Sequence, residues 1–496
     1  MSTVSYLLDG LTLAAAPQNL LFAFLGALLG TLVGVLPGIG PTSGIAILLP
    51  ITAMLSPTPA VIMLAAIYYG AMYGGSTTAI LVNTPGEVSS VVTTFDGYQL
   101  ARQGKAGIAL AIAAISSFVA GTLALVGLTF FAPPLADFAL AFGPPEYFGI
   151  MCLAFSAIVG LSERSLAKGI ISALAGFLLS TIGQDPVTGT SRFTFGTVQL
   201  LGGIDFISVV IGLFAISEIM INSEEIGREV YQKIGRLYPT FQELLESAGA
   251  ILRSTVTGFC FGLLPGCTPG VTSFLSYDIE KKFSRHPEKF GQGSLAGVAA
   301  PEGANNACTS AGFIPLFSLG IPTSPALAVL LSALMIYGLQ PGPILFSKNP
   351  DFVWTIIASM YIGNVMLLIL NLPLVGLWAR ITVIPYHYLA PLIFLCCFVG
   401  AFSVRNNMFD VWMALLFGVI GYLMRKLKFP AAPLVLALIL GPLLENSVRQ
   451  SLSMSAGSPA IFITRPMTIF LISTAVCTIG ASVYFRYFRK SGKTMA

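Results

Sequence analysis

Charged residues are scarce in this chain of 496 residues. Only 9% are Asp, Glu, Lys or Arg, whereas 55% are hydrophobic, and the mean hydropathy is +0.86. Because soluble globular domains carry about 25% charged residues, this scarcity excludes an ordinary soluble fold and predicts a polytopic membrane protein. The net charge is only +4 and the basic residues cluster in loops, so we expect no nucleic-acid partner.

Histidines and closely spaced cysteine pairs are also nearly missing. The two histidines, His286 and His387, lie far apart, and the 7 cysteines form no CxxC pair, so we expect neither a zinc centre nor a disulfide framework. The chain also lacks a G-x-x-x-x-G-K-[ST] phosphate loop, so ATP binding is not expected. Together these absences predict that the chain is not an enzyme and needs no cofactor.

Long hydrophobic runs are what the sequence has in abundance. A membrane-spanning helix needs about 20 mostly apolar residues, and six segments have this character. They are Leu20–Leu36, Val61–Val82, Ile108–Phe131, Ile204–Ile221, Phe352–Leu374 and Met467–Tyr484. Because none shows the alternating pattern of a membrane β-barrel, we predict an all-α polytopic fold.

An internal repeat divides the chain. "GVLPGIGP" at 34–41 matches "GLLPGCTP" at 262–269, and "YGAMYGGSTTAILVNTPGE" at 69–87 matches "EGANNACTSAGFIPLFSLGIPTS" at 302–324 with a four-residue gap. A third, shorter match has the same order, which predicts a duplication. We expect a first transmembrane repeat at 1–221, a polar cytoplasmic linker at 222–246, a second repeat at 247–445, and a final helix with a basic cytoplasmic tail at 446–496.

Basic residues predict that the two repeats are inverted. Arg102 and Lys105 follow the second motif of the first repeat, whereas Lys281 and Lys282 follow the first motif of the second repeat. Under the positive-inside rule, equivalent loops therefore face opposite sides. If each LPG motif forms a re-entrant hairpin, the scheme gives about 11 (10–12) transmembrane helices, a periplasmic N-terminus and a cytoplasmic C-terminus.

Proline and glycine break the hydrophobic segments at the motifs. Irregular backbone survives at membrane depth only where protein covers it or where it lines a polar cavity, and paired breaks in two repeats indicate a midplane binding site. A packing face of small residues at Gly70 and Gly74 is the alternative. The predicted substrate-binding residues are Pro37, Gly38, Gly40, Pro41, Thr42, Ser43, Ser76, Thr77, Thr78, Thr84, Pro85, Pro265, Gly266, Thr268, Gly270, Thr309, Ser310, Thr323 and Ser324.

The motifs contain no Lys or Arg. A bound anion would therefore depend on helix N-termini, whose dipoles favour negative charge, and on co-bound cations. We predict cation coupling at Asn83, Glu87, Glu302, Asn305 and Asn306, with Na⁺ near Asn83 and Asn305, although Glu302 suits H⁺ equally. A solvated carboxylate at the membrane surface is the alternative for Glu87 and Glu302.

The motifs "LPGIGP", "YYGAMYGGSTTAILVNTPGE", "LPGCTPG", "PEGANNA" and "LGIPTSPALAVLL" together resemble the large membrane subunit of the tripartite tricarboxylate transporter family, over nearly the whole chain. The resemblance implies a multi-pass secondary transporter of the bacterial inner (plasma) membrane. It implies symport of a citrate-like tricarboxylate or related carboxylate with Na⁺ or H⁺. The implied partners are a small membrane subunit and a periplasmic solute-binding protein, besides membrane lipid.

The residues themselves leave two other functions open. Broken helices also build the selectivity filters of channels, and the same hydroxyl-rich motifs could serve a carrier for a different small organic anion. A homo-oligomer is also left open.

Overall fold

The computed structural model describes residues 3–36, 39–52, 54–160, 165–185, 188–224, 234–381 and 386–491. These residues are almost entirely helical, because a backbone N–H or C=O in lipid must be paired within its own segment. The prediction of an all-α membrane protein is confirmed. In the described ranges the sole sheet is one antiparallel pair, β1 (Gly183–Gln184) with β2 (Ser191–Arg192), in which Gly183 lies opposite Arg192.

Ten α-helices precede the polar linker. In chain order they are α1 (Thr3–Ala14), α2 (Pro17–Val35), α3 (Gly40–Thr52), α4 (Pro57–Val82), α5 (Thr93–Arg102), α6 (Ala106–Ala139), α7 (Pro144–Gly160), α8 (Leu166–Ser180), α9 (Phe206–Val210) and α10 (Ser217–Asn222). Two 3₁₀ turns, Val88–Val91 and Val198–Leu200, and a π-helical stretch, Ile211–Ile216, lie between them. The π stretch joins α9 and α10 into one continuous segment.

Thirteen described α-helices follow the linker. They are α11 (Phe241–Gly262), α12 (Pro269–Phe283), α13 (Leu295–Ala311), α14 (Phe313–Leu319), α15 (Pro325–Ile336), α16 (Pro343–Lys348), α17 (Pro350–Asn371), α18 (Val375–Ile381), α19 (Tyr386–Arg405), α20 (Met408–Lys426), α21 (Ala431–Met454), α22 (Ile461–Thr464) and α23 (Pro466–Ser491). A 3₁₀ turn, Pro287–Lys289, precedes α13. Residues 225–233 of the predicted linker at 222–246 lie outside the described residues.

Five described helices are long and apolar enough to cross a membrane: α2, α6, α17, α20 and α21. Six shorter apolar segments accompany them, at 40–52, 166–180, 206–222, 325–336, 390–403 and 466–480. The six hydrophobic runs read from the sequence coincide with α2, α4, α6, the α9–α10 segment, α17 and α23. The number of membrane crossings stays a prediction.

Helix α4 is the centre of the fold. From Pro59 to Val82 every one of its residues is buried, and its apolar side chains belong to the largest cluster of buried residues, together with side chains of α3, α15 and α17. Tyr68 of α4 contacts the ring of Phe313 in α14, with ring centroids 6.3 Å apart. The first half of the chain therefore packs directly against the second.

Small residues allow two helix pairs to pack backbone against backbone. Helix α2 lies against α4, and α11 lies against α13. A Cβ atom added at Gly34 would lie 2.2 Å from the carbonyl oxygen of Ala71, and one added at Gly262 would lie 2.7 Å from that of Cys308. Side-chain-free contacts of this kind are typical of membrane helices.

The alternative interpretation of Gly74 as a packing residue fits this geometry. A Cβ atom at Gly74 would lie 2.2 Å from the carbonyl oxygen of Thr31 in α2. Gly70 also faces α2, where a Cβ atom would lie 3.1 Å from the carbonyl oxygen of Ala27. Gly70 and Gly74 of α4 therefore pack against α2, whereas the Ser76 hydroxyl of the same helix contacts α13.

We expect Gly34→Ala to lower the free energy of unfolding by about 1–3 kcal/mol or more, as is usual for overpacking. The new methyl group would separate α2 from α4 at their closest approach. Gly376→Ala is the control, because a Cβ atom there would meet no heavy atom within 4 Å. Thermal unfolding in detergent measures the effect, and equal stability of the two variants would contradict the packing.

Candidate functional site

Four α-helices begin at one cavity. The cavity has a volume of about 550 Å³, and its wall includes first-turn residues of α3, α12, α15 and α21. Such a volume lies in the usual range for small-molecule sites. The first N–H groups of a helix have no partner within the helix and carry a partial positive charge. The cavity is therefore suited to an anion.

Proline marks the start of three of these helices. Pro269 and Pro325 are the first residues of α12 and α15, and Pro41 is the second residue of α3. Proline is common in the first turn of a helix because its φ angle is already helical and because an N–H at that position would have no partner within the helix. Gly40, with φ of 66°, has the left-handed backbone that turns the chain into α3. Local sequence thus explains why these helices begin here.

Two of the helix starts have no side-chain cap. Thr268 precedes α12 and Pro430 precedes α21, and neither side chain accepts a hydrogen bond from the first turn. By contrast, Ser324 caps α15 by accepting from the backbone N–H of Leu327, and its Oγ lies 3.0 Å from the Tyr68 Oη. The first turns of α12 and α21 therefore have no side-chain acceptor from their cap residues.

Arg425 brings a positive charge to the cavity wall. It lies in the last turn of α20 and forms an ion pair with Glu218 of α10, which also lines the cavity. The Arg425 side chain is 41% exposed. Arg425 is not among the site residues that the sequence predicted. The sequence feature that could have indicated this position is the stretch "FPAAP", which follows Arg425 closely and contains the prolines at the start of α21.

Glu87 brings a carboxylate to the same cavity. It caps the 3₁₀ turn Val88–Val91, where its Oε2 accepts from the Ser89 backbone N–H at 2.9 Å, and the Ser89 hydroxyl donates to its Oε1. Only 9% of Glu87 is exposed. No described Lys or Arg forms an ion pair with it, so its hydrogen-bond donors are neutral groups.

A second carboxylate, Glu302 of α13, lies in the protein interior. The Ser76 hydroxyl donates to its Oε2 at 2.6 Å, the Asn305 amide donates at 3.3 Å, and the Thr93 hydroxyl donates to Oε1. Glu302 is 0% exposed, which does not fit the alternative of a solvated surface carboxylate. Its described partners are all neutral, although buried charges usually require a compensating charge.

The remaining amide of the "PEGANNA" motif supports this cluster. Asn306 donates from its Nδ2 to the backbone oxygen of Glu302 at 3.2 Å and also to the Asn305 Oδ1. Asn305 and Asn306 therefore belong to one buried network around Glu302. This network joins α13 to α4 and α5 through Ser76 and Thr93.

The structure separates the predicted residues into groups. Those lining the large cavity are Gly40, Pro41, Thr42, Ser43, Pro85, Glu87, Thr268, Gly270 and Ser324. Those that do not line it are Ser76, Thr77, Thr78, Asn83, Thr84, Pro265, Gly266, Glu302, Asn305, Asn306, Thr309, Ser310 and Thr323. Pro37 and Gly38 lie outside the described residues.

The two predicted Na⁺ regions differ in environment. Asn83 is exposed and ends α4 in the left-handed conformation, with φ of 60°, whereas Asn305 is 0% exposed. In the described ranges no group of three or more His, Cys, Asp or Glu side chains could hold a metal ion. A cation beside Asn305 would have Glu302 as a carboxylate neighbour and would otherwise depend on neutral oxygen ligands, which Na⁺ accepts.

Asp96 is a buried carboxylate that sequence reasoning missed. Its Oδ1 accepts from the backbone N–H groups of Gly291, Gly293 and Ser294 at 2.9, 2.8 and 2.7 Å, and the Tyr277 hydroxyl donates to its Oδ2 at 2.8 Å. These contacts tie α5 to the loop in front of α13. Asp96 therefore positions the helix that carries Glu302. No motif surrounds it in the sequence.

Known proteins are similar to nearly the whole chain. The sequence model of the family described as "Tripartite tricarboxylate transporter TctA family" matches residues 20–436. A protein of Agrobacterium vitis, described as an uncharacterized 52.8 kDa protein in the TAR-I ttuC' 3' region, is 46% identical over 481 residues, which are 97% of this chain and 96% of the relative.

A second relative from Agrobacterium vitis is described as an uncharacterized protein in the TAR-II ttuC' 3' region. It is 43% identical over 223 residues, which are 45% of this chain and 92% of the relative. No solved structure is significantly similar to the chain.

Proposed function

Because the chain belongs to the tripartite tricarboxylate transporter TctA family, as its motifs predicted, we propose that it imports a carboxylate by symport with Na⁺ or H⁺. In this proposal it is the large membrane subunit, and it works with a small membrane subunit and a periplasmic solute-binding protein. It needs no cofactor besides the co-transported ion. The observation that carries the proposal is the cavity at which four helix N-termini meet Arg425.

A di- or tricarboxylate fits the chemistry of this cavity. First-turn N–H groups bind carboxylate oxygens, and a guanidinium can bind a carboxylate through two parallel hydrogen bonds. We propose that one carboxylate of the substrate occupies the first turns of α3 and α12. Another would bind Arg425 beside the first turn of α21. A citrate-like tricarboxylate would then use both ends of the cavity.

Two buried carboxylates support ion coupling. Glu87 lines the cavity that would receive the anion, and Glu302 lies in the interior without a described cationic partner. Bringing an anion near ionised carboxylates is unfavourable, so a proton or a metal cation should enter with the substrate. This requirement is the physical basis of the proposed symport.

The two repeats are also part of the proposal, with boundaries at 1–221 and 247–445. The close contacts of Gly34 in α2 and Gly262 in α11 occupy equivalent positions in the two repeats. Two further features support the duplication. Helices α4 and α14 end in left-handed residues, Asn83 and Gly320, with φ of 60° and 72°. Four residues later, Glu87 and Ser324 each cap the next helical turn.

The membrane arrangement follows from the positive-inside rule. We propose two inverted repeats with re-entrant hairpins at the LPG motifs and about 11 crossings. The protein would lie in the bacterial inner membrane with its N-terminus in the periplasm and its C-terminus in the cytoplasm. Alternating access would come from movement of part of each repeat against the rest, as in an elevator.

Proteoliposomes containing both membrane subunits test the proposed function. We expect labelled tricarboxylate to accumulate only when the binding protein is present and when an inward Na⁺ or H⁺ gradient is imposed. Imposing the two gradients separately identifies the ion, and an ionophore that collapses the gradient should stop accumulation. Non-saturating flux without the binding protein would identify a channel instead.

A further inference from the structure

A second, much smaller cavity lies between α4, α6 and α17. Its volume is about 10 Å³, which is enough for a single water-sized particle. Its polar wall consists of Tyr73, Ser76, Thr77, Ser117 and Asn371, and each of these residues is at most 5% exposed. None of these five residues lines the large cavity at the starts of α3, α12, α15 and α21.

Asn371 lines this small cavity, and the important atom of its side chain is Oδ1. It is buried and accepts no hydrogen bond from any described residue. The amide group of the same side chain donates to the Thr31 hydroxyl at 3.3 Å and to the Leu367 backbone oxygen at 3.0 Å. The amide nitrogen of Asn371 therefore uses its hydrogen bonds on these two acceptors, and the amide oxygen remains an acceptor without a described donor.

Three hydroxyl protons around the cavity are directed to other acceptors. Ser76 donates to the Glu302 carboxylate, Ser117 donates to the Glu302 backbone oxygen at 3.4 Å, and Tyr73 donates to the Asn364 Oδ1 at 2.6 Å. These three hydroxyl protons are thus used and their oxygen lone pairs remain, whereas the Thr77 hydroxyl donates to no described residue. With the Asn371 oxygen, these groups offer several acceptors to whatever occupies the cavity, and the Thr77 hydroxyl is the single donor among them that has no acceptor in the described part of the chain.

This polarity favours a cation over water. A water molecule could donate to two of the oxygens, but it could accept only from the Thr77 hydroxyl, so one of its lone pairs would find no donor among these groups. A dehydrated Na⁺ needs only oxygen acceptors. The negative charge is close, because the Glu302 carboxylate accepts directly from the Ser76 hydroxyl that lines the cavity.

We infer that this cavity is a Na⁺ site with the Asn371 Oδ1 as a ligand and the surrounding hydroxyl oxygens completing the shell. The site differs from the predicted Asn83 region, and it adjoins the Asn305 region through Ser76, which donates to the same Glu302 oxygen as Asn305. The inference rests on the proposed function only in treating the ion as the coupling ion. Occupation of the cavity would neutralise Glu302 through Ser76, whose hydroxyl contacts both.

Equilibrium binding of ²²Na⁺ to the purified full-length chain in nanodiscs tests the site without substrate. Losing one oxygen ligand in Asn371→Leu should weaken Na⁺ binding by about tenfold or more, whereas Asn371→Asp should retain or strengthen it. Tyr69→Phe is the matched control, because the Tyr69 hydroxyl is also buried without a described partner but does not line the cavity. It should bind Na⁺ like the wild type.

Unchanged Na⁺ binding by Asn371→Leu would overturn the inference and identify the cavity as a water site. If that variant does not fold, Thr77→Val keeps the side-chain shape and should weaken binding in the same way. A wild-type chain that transports with H⁺ and binds no Na⁺ would overturn this site and leave the proposed function intact. Normal Na⁺ binding without any carboxylate uptake would instead refute the proposed function.

Discussion

Arg425→Gln is expected to raise the KM for tricarboxylate uptake by about one to two orders of magnitude, since a hydrogen bond to a charged group contributes about 1.5–3 kcal/mol. Among the described residues that line the large cavity, Arg425 is the one with a positive charge, and it forms an ion pair with Glu218. Uptake by proteoliposomes at a series of substrate concentrations measures the effect. The kcat should change less than the KM, because the lost contact serves binding.

Two further variants separate substrate binding from stability. Arg425→Gln removes the ion pair with Glu218, so combining Arg425→Gln with Glu218→Gln also removes the carboxylate charge and should fold better with the same high KM. Lys426→Gln is the control, because Lys426 pairs with Glu224 at the surface and both side chains are nearly half exposed. Such surface pairs contribute little, and a similar rise in KM for this variant would contradict a specific role of Arg425.

Glu302→Gln is expected to reduce gradient-driven accumulation by about two to three orders of magnitude, because the coupling ion would lose its buried charge partner, and such a loss costs about 3–5 kcal/mol. The glutamine keeps the size of the side chain and the acceptor for Ser76, but it removes the charge that balances the coupling ion. Substrate exchange between the two sides of the membrane should continue, since exchange does not require net movement of the ion. Measuring accumulation and exchange in the same proteoliposomes separates the two steps.

Glu146→Gln provides the matched control for this variant. Glu146 is also buried, but it pairs with Arg465 at 2.7 Å and does not line either cavity. Its loss should affect stability and leave the ratio of accumulation to exchange unchanged. Equal losses of accumulation and exchange in Glu302→Gln would indicate a structural role for Glu302 and contradict coupling through it.

Much of the large cavity could be predicted from the motifs. The residues from Gly40 to Ser43 and those around Thr268 were expected near one another because each lies beside proline or glycine that interrupts an apolar segment, and the cavity contains both groups. The motif members that lie elsewhere, such as Ser76 and Asn305, are inside helices. For them the motif predicts a polar side chain but not the direction in which the helix turns it.

The sequence by itself determined the membrane environment, the fold class and the family. These follow from local properties: apolar runs require lipid and helical hydrogen bonding, and the family motifs are short stretches of adjacent residues. They hold for each segment without regard to the rest of the chain.

Only the tertiary structure decided which distant residues meet. Arg425 and Ile39 line the same cavity. Glu302 accepts hydrogen bonds from Ser76 and Thr93. Asn371 lines a small cavity together with hydroxyl side chains of α4. The reason is that such contacts depend on the rotation and crossing of packed helices, which are set by the close glycine contacts of α2 with α4 and of α11 with α13. No local pattern in the chain encodes that geometry.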